Sequence, residues 1–329
     1  MKQRILILVA CTILSAGNAQ NEAKKHKKLF NTLIETTHKN ICNPAFLETK
    51  DWEEFESQIK ALAEQKLSDR DFAKAFNNAS DKLPFSHYYL KHTGSSKKEN
   101  RNTKTNEIPP FELVPIDNTT AVLFIRSFDS NTELMINIVQ QIAQNGYKNL
   151  IIDLRNNQGG SLDAAVVLGR FLTAEIIDAG AYIGRSWFEE KQRYPSLDEI
   201  NSFPYLKEMT YQGFQEASQN PAFRMVLPPH NNSTYSGKVY VLTSKKTASA
   251  CEPLVYLLKN QKVVTIVGEP TAGEMMSGMD FKLDDQLTIF LPVLDYITAA
   301  GTRLDRVGVQ PTIEVLADKA LTTVLQSIE

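Results

Sequence analysis

Three cysteines and five histidines are all that the 329 residues contain, and no CxxC, HExxH or HxxxH pattern connects them. A metal centre of the Cys/His type needs such ligands at short spacing, so no metal is expected. Neither the GxxxxGK[ST] phosphate loop nor GxGxxG occurs, which removes the usual nucleotide signatures, and no cofactor is expected. Lys and Arg together number 36 against 38 Asp and Glu, for a formal charge of −2. That balance offers no electrostatic footprint for nucleic acid. No apolar run is long enough to span a bilayer comfortably, so no stable membrane span is expected, and there are no internal repeats.

What is present has the composition of an ordinary globular chain, 42% hydrophobic and 22% charged. It opens on MKQRILILVACTILSAGNAQ, a short basic start, an apolar stretch and a small-residue tail. This reads as an export signal over residues 1–19, which predicts a periplasmic or extracellular protein. A rival reading makes LVAC a lipoprotein signal with Cys11 as the lipidated residue, but the apolar segment before Cys11 is shorter than the roughly 7–15 residues such signals use. Cys42 and Cys251 lie beyond the signal; export permits a disulfide between them, a domain of this size does not need one, and their redox state stays open.

Apolar residues at helical spacing (Phe30, Leu33, Ile34; Phe55, Ile59, Leu62; Phe72, Ala75, Phe76) predict a helical bundle over 20–92. A polar, breaker-rich linker follows at 93–110. From 111 to 329 the period changes. TAVLFIRS, NLIIDL, KVYVLT and VVTIVG read as strands and alternate with helical stretches, TELMINIVQQIAQNG and SLDAAVVLGRFL among them. Gly146 and Ser161 supply a helix end and a helix start. Continuous apolar strands alternating with helices predict an α/β core with a mostly parallel sheet and flanking helices. An aromatic-rich insertion at about 178–237 reads as a covering subdomain or a substrate-side wall.

Two turns in this core carry chemistry. KKTASACE (245–252) leads from a strand into a helix and holds Thr247, Ser249 and Cys251. A helix N-terminus stabilises an anion formed beside it, so Ser249 suits a nucleophile with the Ala250 N–H aimed at an oxyanion. The same three side chains also suit plain capping and packing. RNNQGGSL (155–162) is the second turn, where Gly159 and Gly160 allow close backbone approach and a second N–H donor. In an open parallel sheet both turns fall at carboxyl ends of strands, where ligands bind. A serine needs a base. His26 and His38 lie on charged helix faces and are expected to be solvated, and His230 lies in a polar loop. His92 sits at the linker margin, which leaves His87 in PFSHYYL, flanked by aromatics that exclude water. Lys245 and Lys246 read as solvated.

NLIIDLRNNQGGSLDAAVVLGRFL, VYVLTSKKTASACEPLVYLLKN, TIVGEPTAGE and RVGVQPTIEV, in that order, resemble the S41 serine peptidases over roughly residues 82–316. That family includes the carboxy-terminal processing proteases, the tricorn core protease and the interphotoreceptor retinoid-binding protein repeats. The resemblance implies a ClpP/crotonase-like core and makes Ser249 the nucleophile. Processing proteases pair that serine with a lysine in a GExTxGK segment; GEPTAGE places Glu274 there, so the usual dyad is absent. The tricorn-like branch uses an upstream histidine and an acid before the terminal GVxP strand. By that likeness His87 is the base, Asp305 the orienting acid in the position usually held by Glu, Ser86 a support for the orienting network, and Ala250 with Gly159 or Gly160 the oxyanion donors; whether Glu274 takes the acid's place stays open. Processing proteases also carry a PDZ domain where this chain has only the 93–110 linker, so substrate choice falls to the core and the insertion.

The resemblance implies an exported serine peptidase acting on peptides or unfolded proteins through an acyl-enzyme. The alternatives are a non-catalytic ligand-binding protein on the same fold, as the retinoid-binding likeness allows, or an esterase. Oligomeric state is not legible.

Overall fold

The computed structural model describes residues 24–93, 108–129, 132–206, 208, 210–227, 229, 231, 234–259, 261 and 263–328. The expected signal with Cys11, most of the linker, and His230 lie outside these residues. Residues 24–40 form helix α1. Along the chain follow α2 (Lys50–Ala63), α3 (Asp69–Ser80), β1 (Tyr89–His92), β2 (Phe111–Pro115), β3 (Thr120–Ile125), α4 (Thr132–Asn145) and β4 (Asn149–Asp153). Next come α5 (Leu162–Leu172), β5 (Ile177–Gly184), α6 (Arg185–Lys191), α7 (Leu197–Ser202), α8 (Tyr211–Ala217), β6 (Ala222–Leu227) and β7 (Lys238–Thr243). The chain closes with α9 (Cys251–Lys259), β8 (Val264–Gly268), β9 (Ser277–Lys282), β10 (Leu287–Ile297), β11 (Ile313–Glu314) and α10 (Ala317–Ile328).

The chain divides into two compact units. One comprises the N-terminal residues up to 103 together with Ser277–Val293; the other comprises Lys104–Met276 with Leu294–Glu329. In the first unit, Thr49 and Ser68 cap α2 and α3 by accepting hydrogen bonds from Trp52 N and Asp71 N. Asp51, Glu53, Asp69 and Asp71 place negative charge in the first turns, where the helix dipole favours it. The helices bury an aromatic cluster: Phe55 lies 5.3 Å from both Trp52 and Phe76, and Tyr88 lies 5.4 Å from Phe76. β1 pairs antiparallel with the first half of β10, Tyr89 opposite Phe290, and β9 pairs with β10 through the turn at Asp284–Asp285.

His26 departs from its expected solvation. It is fully buried, its ring stacked on Phe72 at 4.5 Å, with Nε2 2.9 Å from Asp69 Oδ1. Its neighbours in KKHKK are all cations, but the partners that bury it come from α3, and local sequence cannot show them.

The second unit holds a six-stranded sheet in the order β11-β8-β7-β4-β3-β2. Every neighbouring pair is parallel except β2 with β3. The last four residues of β4 and the last three of β7 and β8 are continuously buried, as strands covered on both faces must be. α10 covers one face, setting Ala320 and Val324 on Val122, Ile151, Leu242 and Val267. The second half of β10 pairs with β5, and β5 with β6, all antiparallel. Between β5 and β6 run α6, α7 and α8, whose Trp187, Phe188 and Ile200 pack on Ala181, Ile183 and Ile297 in a small cluster of their own. Ser161 caps α5 by accepting from Asp163 N, and Gly146 closes α4 at φ 62°. Cys42 and Cys251 are both free thiols, each buried.

Candidate active site

The end of β7 and the end of β4 deliver two turns that are sewn together by side chains. Ser244 Oγ donates to Arg155 O at 2.6 Å, Thr247 Oγ1 to Leu154 O at 2.8 Å, and Ala248 N to Asn157 O at 3.1 Å. The three candidate side chains, Thr247, Ser249 and Cys251, differ sharply in their surroundings. Thr247 is fully buried and spent: its oxygen also accepts from Ser244 N at 3.0 Å. Cys251 is fully buried, its thiol against Asn157 O at 3.5 Å, and burial with Glu252 beside it pushes the thiol far above its ordinary range. A buried, protonated thiol is a poor nucleophile. Ser249 alone is half-exposed.

Ser249 sits just outside the helix that its turn leads into. Its φ is 53°, in the left-handed region, and α9 proper starts at Cys251. That conformation costs a non-glycine residue about 1–3 kcal/mol and persists only where surroundings impose it. Among the described residues, three other non-glycines share it: His87 at 58°, Arg306 at 62° and Gln192 at 53°. Two of the four are thus the residues singled out as nucleophile and base, and a third adjoins Asp305.

The glycine turn presses on Ser249 from the other side. A Cβ on Gly159, whose φ is 102°, would lie 2.7 Å from Ser249 Cβ and 3.0 Å from Ala250 N. Only glycine permits this approach. The Gly159 N–H is committed to Asn157 Oδ1 at 2.8 Å. Among the described residues, no acceptor takes the Gly160 N–H or the Ala250 N–H. Beside Ala250 lies an apolar pocket lined by Leu162, Ala165, Ile177, Met225 and Leu254.

Under the turn lies a carboxylate. Glu252 is fully buried and accepts from Thr271 Oγ1 (2.6 Å), Gly273 N (2.8 Å), Glu274 N (2.8 Å) and Ser249 N (3.2 Å). Burial raises its carboxyl to about 7 despite those donors. Ser249 N also donates to Glu274 O at 3.1 Å. Glu274 therefore meets the turn with its backbone, while its side chain is exposed. One residue on, Met275 N donates to Asp305 Oδ1 at 3.0 Å. Asp305 is buried and pairs with Arg303 Nη2 at 2.9 Å, and Arg303 Nε reaches Asp295 Oδ2 at 3.0 Å. Tyr194, from the segment between α6 and α7, donates to that same Asp295 oxygen at 2.7 Å.

The other unit holds Ser86 and His87. His87 is half-buried, just before β1, between buried Ser86 and Tyr88. Ser86 Oγ lies 2.8 Å from its Nδ1, and Phe290 lies 5.9 Å from its ring. Ser86 therefore engages the imidazole directly.

A family model described as Peptidase family S41 matches residues 119–315. The chain belongs to peptidase family S41. Over 206 residues this S41 chain is 25% identical to the chloroplastic C-terminal processing peptidase of Tetradesmus obliquus, covering 62% of the chain and 36% of that protein. It is 24% identical over 199 residues to the carboxy-terminal processing protease CtpA of Bacillus subtilis, covering 60% and 35%. The chain thus spans little more than a third of the length of these curated relatives. A solved structure of a lipoprotein from Streptococcus agalactiae superimposes with a TM-score of 0.59 at 16% identity, covering 92% of this chain and 96% of that one. At that identity the likeness speaks for the fold.

Three participants in this S41 site were not anticipated. Glu252 had a visible signal: Ser249-x-x-Glu252 has capping-box spacing, in which the acid reaches back to the first N–H. Asn157, which holds the Gly159 N–H, and Arg303, which holds Asp305, each act on a residue two positions along the chain; the first has the Asx-turn spacing that the glycine turn makes legible, whereas an Arg-x-Asp spacing singles out no pair.

Proposed function

We propose that this S41 member is an exported serine peptidase that hydrolyses peptides or unfolded proteins through an acyl-enzyme on Ser249. One observation carries the reading: a half-exposed serine, held left-handed at a helix head and followed by the Ala250 N–H, which, like the Gly160 N–H, no acceptor among the described residues takes. Unclaimed donors at a helix start are what a developing oxyanion requires. The family's members named as processing proteases support peptide chemistry, the N-terminal segment 1–19 supports export, and among the described residues no helix is long and apolar enough to cross a membrane.

His87 Nε2 takes the proton of Ser249 Oγ as that oxygen bonds to the scissile carbonyl carbon. The carbonyl electrons move onto oxygen, which Ala250 N–H and Gly160 N–H receive; the Gly159 N–H is already spent. His87 then gives the proton to the leaving amine nitrogen and the C–N bond breaks. Water repeats the sequence against the ester, releasing the acid and restoring Ser249. Ser86 at Nδ1 and the buried Asp305 orient and stabilise the imidazolium; Glu274, exposed, fits that role less well. The apolar pocket beside Ala250 suits an apolar side chain on the acyl side of the cleaved bond.

A fluorophosphonate probe followed by peptide mapping tests this. Expected is one label, on Ser249, absent in Ser249→Ala and slowed at least about 10³-fold in His87→Ala, with both variants folded. An unlabelled wild type would overturn the reading and favour ligand binding on the same fold. Labelling with ester turnover but no peptide turnover would favour the esterase.

A further inference from the structure

We infer that Glu252 is a positioning residue for the nucleophile, clamping the strained Ser249 turn to the 271–274 loop through its carboxylate; this rests on Ser249 being the nucleophile. The carboxylate has four donors on two oxygens. Oε1 takes Thr271 Oγ1 and Gly273 N, and Oε2 takes Glu274 N and Ser249 N. A carboxylate has about four lone-pair sites, so this one is filled by donors that all belong to two short segments. A buried ionisable group survives only when so satisfied.

The arrangement is directed at Ser249 and not merely at the fold. Ser249 is the residue forced into the left-handed region, and its N–H is split between Glu252 Oε2 and Glu274 O. Glu252 also takes the N–H of that same Glu274, so the two acceptors of Ser249 N–H are tied to each other. Turning the Ser249 peptide toward a relaxed conformation would break both bonds together. With this N–H drawn under the turn, the next one along, at Ala250, remains for substrate.

Glu252→Gln keeps the shape but presents an amide N–H₂ to groups that are all donors. The turn should loosen without unfolding, and misplacement near 1 Å costs on the order of 100-fold. Expected are a fall in kcat of about 10- to 100-fold, a KM within about twofold, and fluorophosphonate labelling of Ser249 slowed in parallel. Glu252→Asp retains the charge one methylene short of the Ser249 N–H and should fall between wild type and the glutamine variant. Unchanged kcat and labelling in a folded Glu252→Gln would overturn the clamp while leaving the peptidase reading intact. An unlabelled wild type would overturn both. Amide exchange in the wild type reads the clamp without any variant: slow exchange at Ser249, Gly273 and Glu274 supports it, and fast exchange at Ser249 overturns it.

Discussion

The turn around Ser249 and the segment around His87 solve one problem in two ways. Both hold a half-exposed side chain, the proposed nucleophile and the proposed base, on a left-handed backbone, at φ 53° and 58°. Around Ser249 the restraint is polar: buried Glu252, the Glu274 carbonyl and the sewn turns ending at Thr247 and Asn157. Around His87 it is largely aromatic. Phe85 stacks on Phe46 at 5.0 Å and sits 5.8 Å from Tyr88, and Tyr88 also packs on Trp52, Phe55 and Phe76. Hydrogen bonds fix direction, which an oxyanion site demands, since N–H groups must aim at one point. Aromatic packing fixes position, while a hydrogen bond between Ser86 Oγ and Nδ1 holds the ring nitrogen.

Gly159→Ala should do the most to break the polar side. Its Cβ would need the space of Ser249 Cβ, and its φ of 102° disfavours any side chain. A drop in kcat of about 100-fold or more is expected, with an easily measured loss of thermal stability. Activity near wild type would show that the serine turn can shift freely, contrary to a polar clamp.

The second effect is a pH dependence of stability. Burial holds the Glu252 carboxyl at about 7 against an ordinary value of 4.5. Between those pH values the folded chain keeps a proton that the unfolded chain releases. Its contribution to stability is therefore full below about 4.5 and is lost as pH rises through 7, on the order of 3 kcal/mol in all. Urea unfolding of wild type and Glu252→Gln from pH 4.5 to 8 should show the wild type losing about that much relative to the variant. A pH-independent difference would mean that the carboxylate is better solvated or better paired than this burial implies. The ionised form that serves the turn is thus the form that costs stability.

The smallest effect sharpens the aromatic side. Tyr88 donates to Thr37 Oγ1 at 2.7 Å, since that threonine hydroxyl gives its own proton to Leu33 O. Tyr88→Phe removes one buried hydrogen bond and keeps the ring, so about 1 kcal/mol of stability should go and kcat should stay within about twofold. A larger loss of kcat would mean that the His87 segment also depends on polar restraint.

Local pattern alone carries much of this molecule. β4, β7 and β8 are readable because strands covered on both faces must be apolar without interruption. Ser161 and Gly146 mark helix ends through chemistry contained in a few residues. The order of the S41-like motifs pointed to Ser249, and the glutamate at position 274 removed the lysine dyad. Tertiary structure decided what depends on remote partners. It consumed Thr247 with Leu154 O, buried Cys251 against Asn157, and buried His26 on Phe72 beside Asp69. It also started the helix only at Cys251 and placed Ser249 in a strained turn above Glu252. The difference is one of range. Propensity, periodicity and capping are set by neighbours within a few positions, whereas the identity of a free N–H or a spent hydroxyl depends on which distant acceptor folding brings within 3 Å.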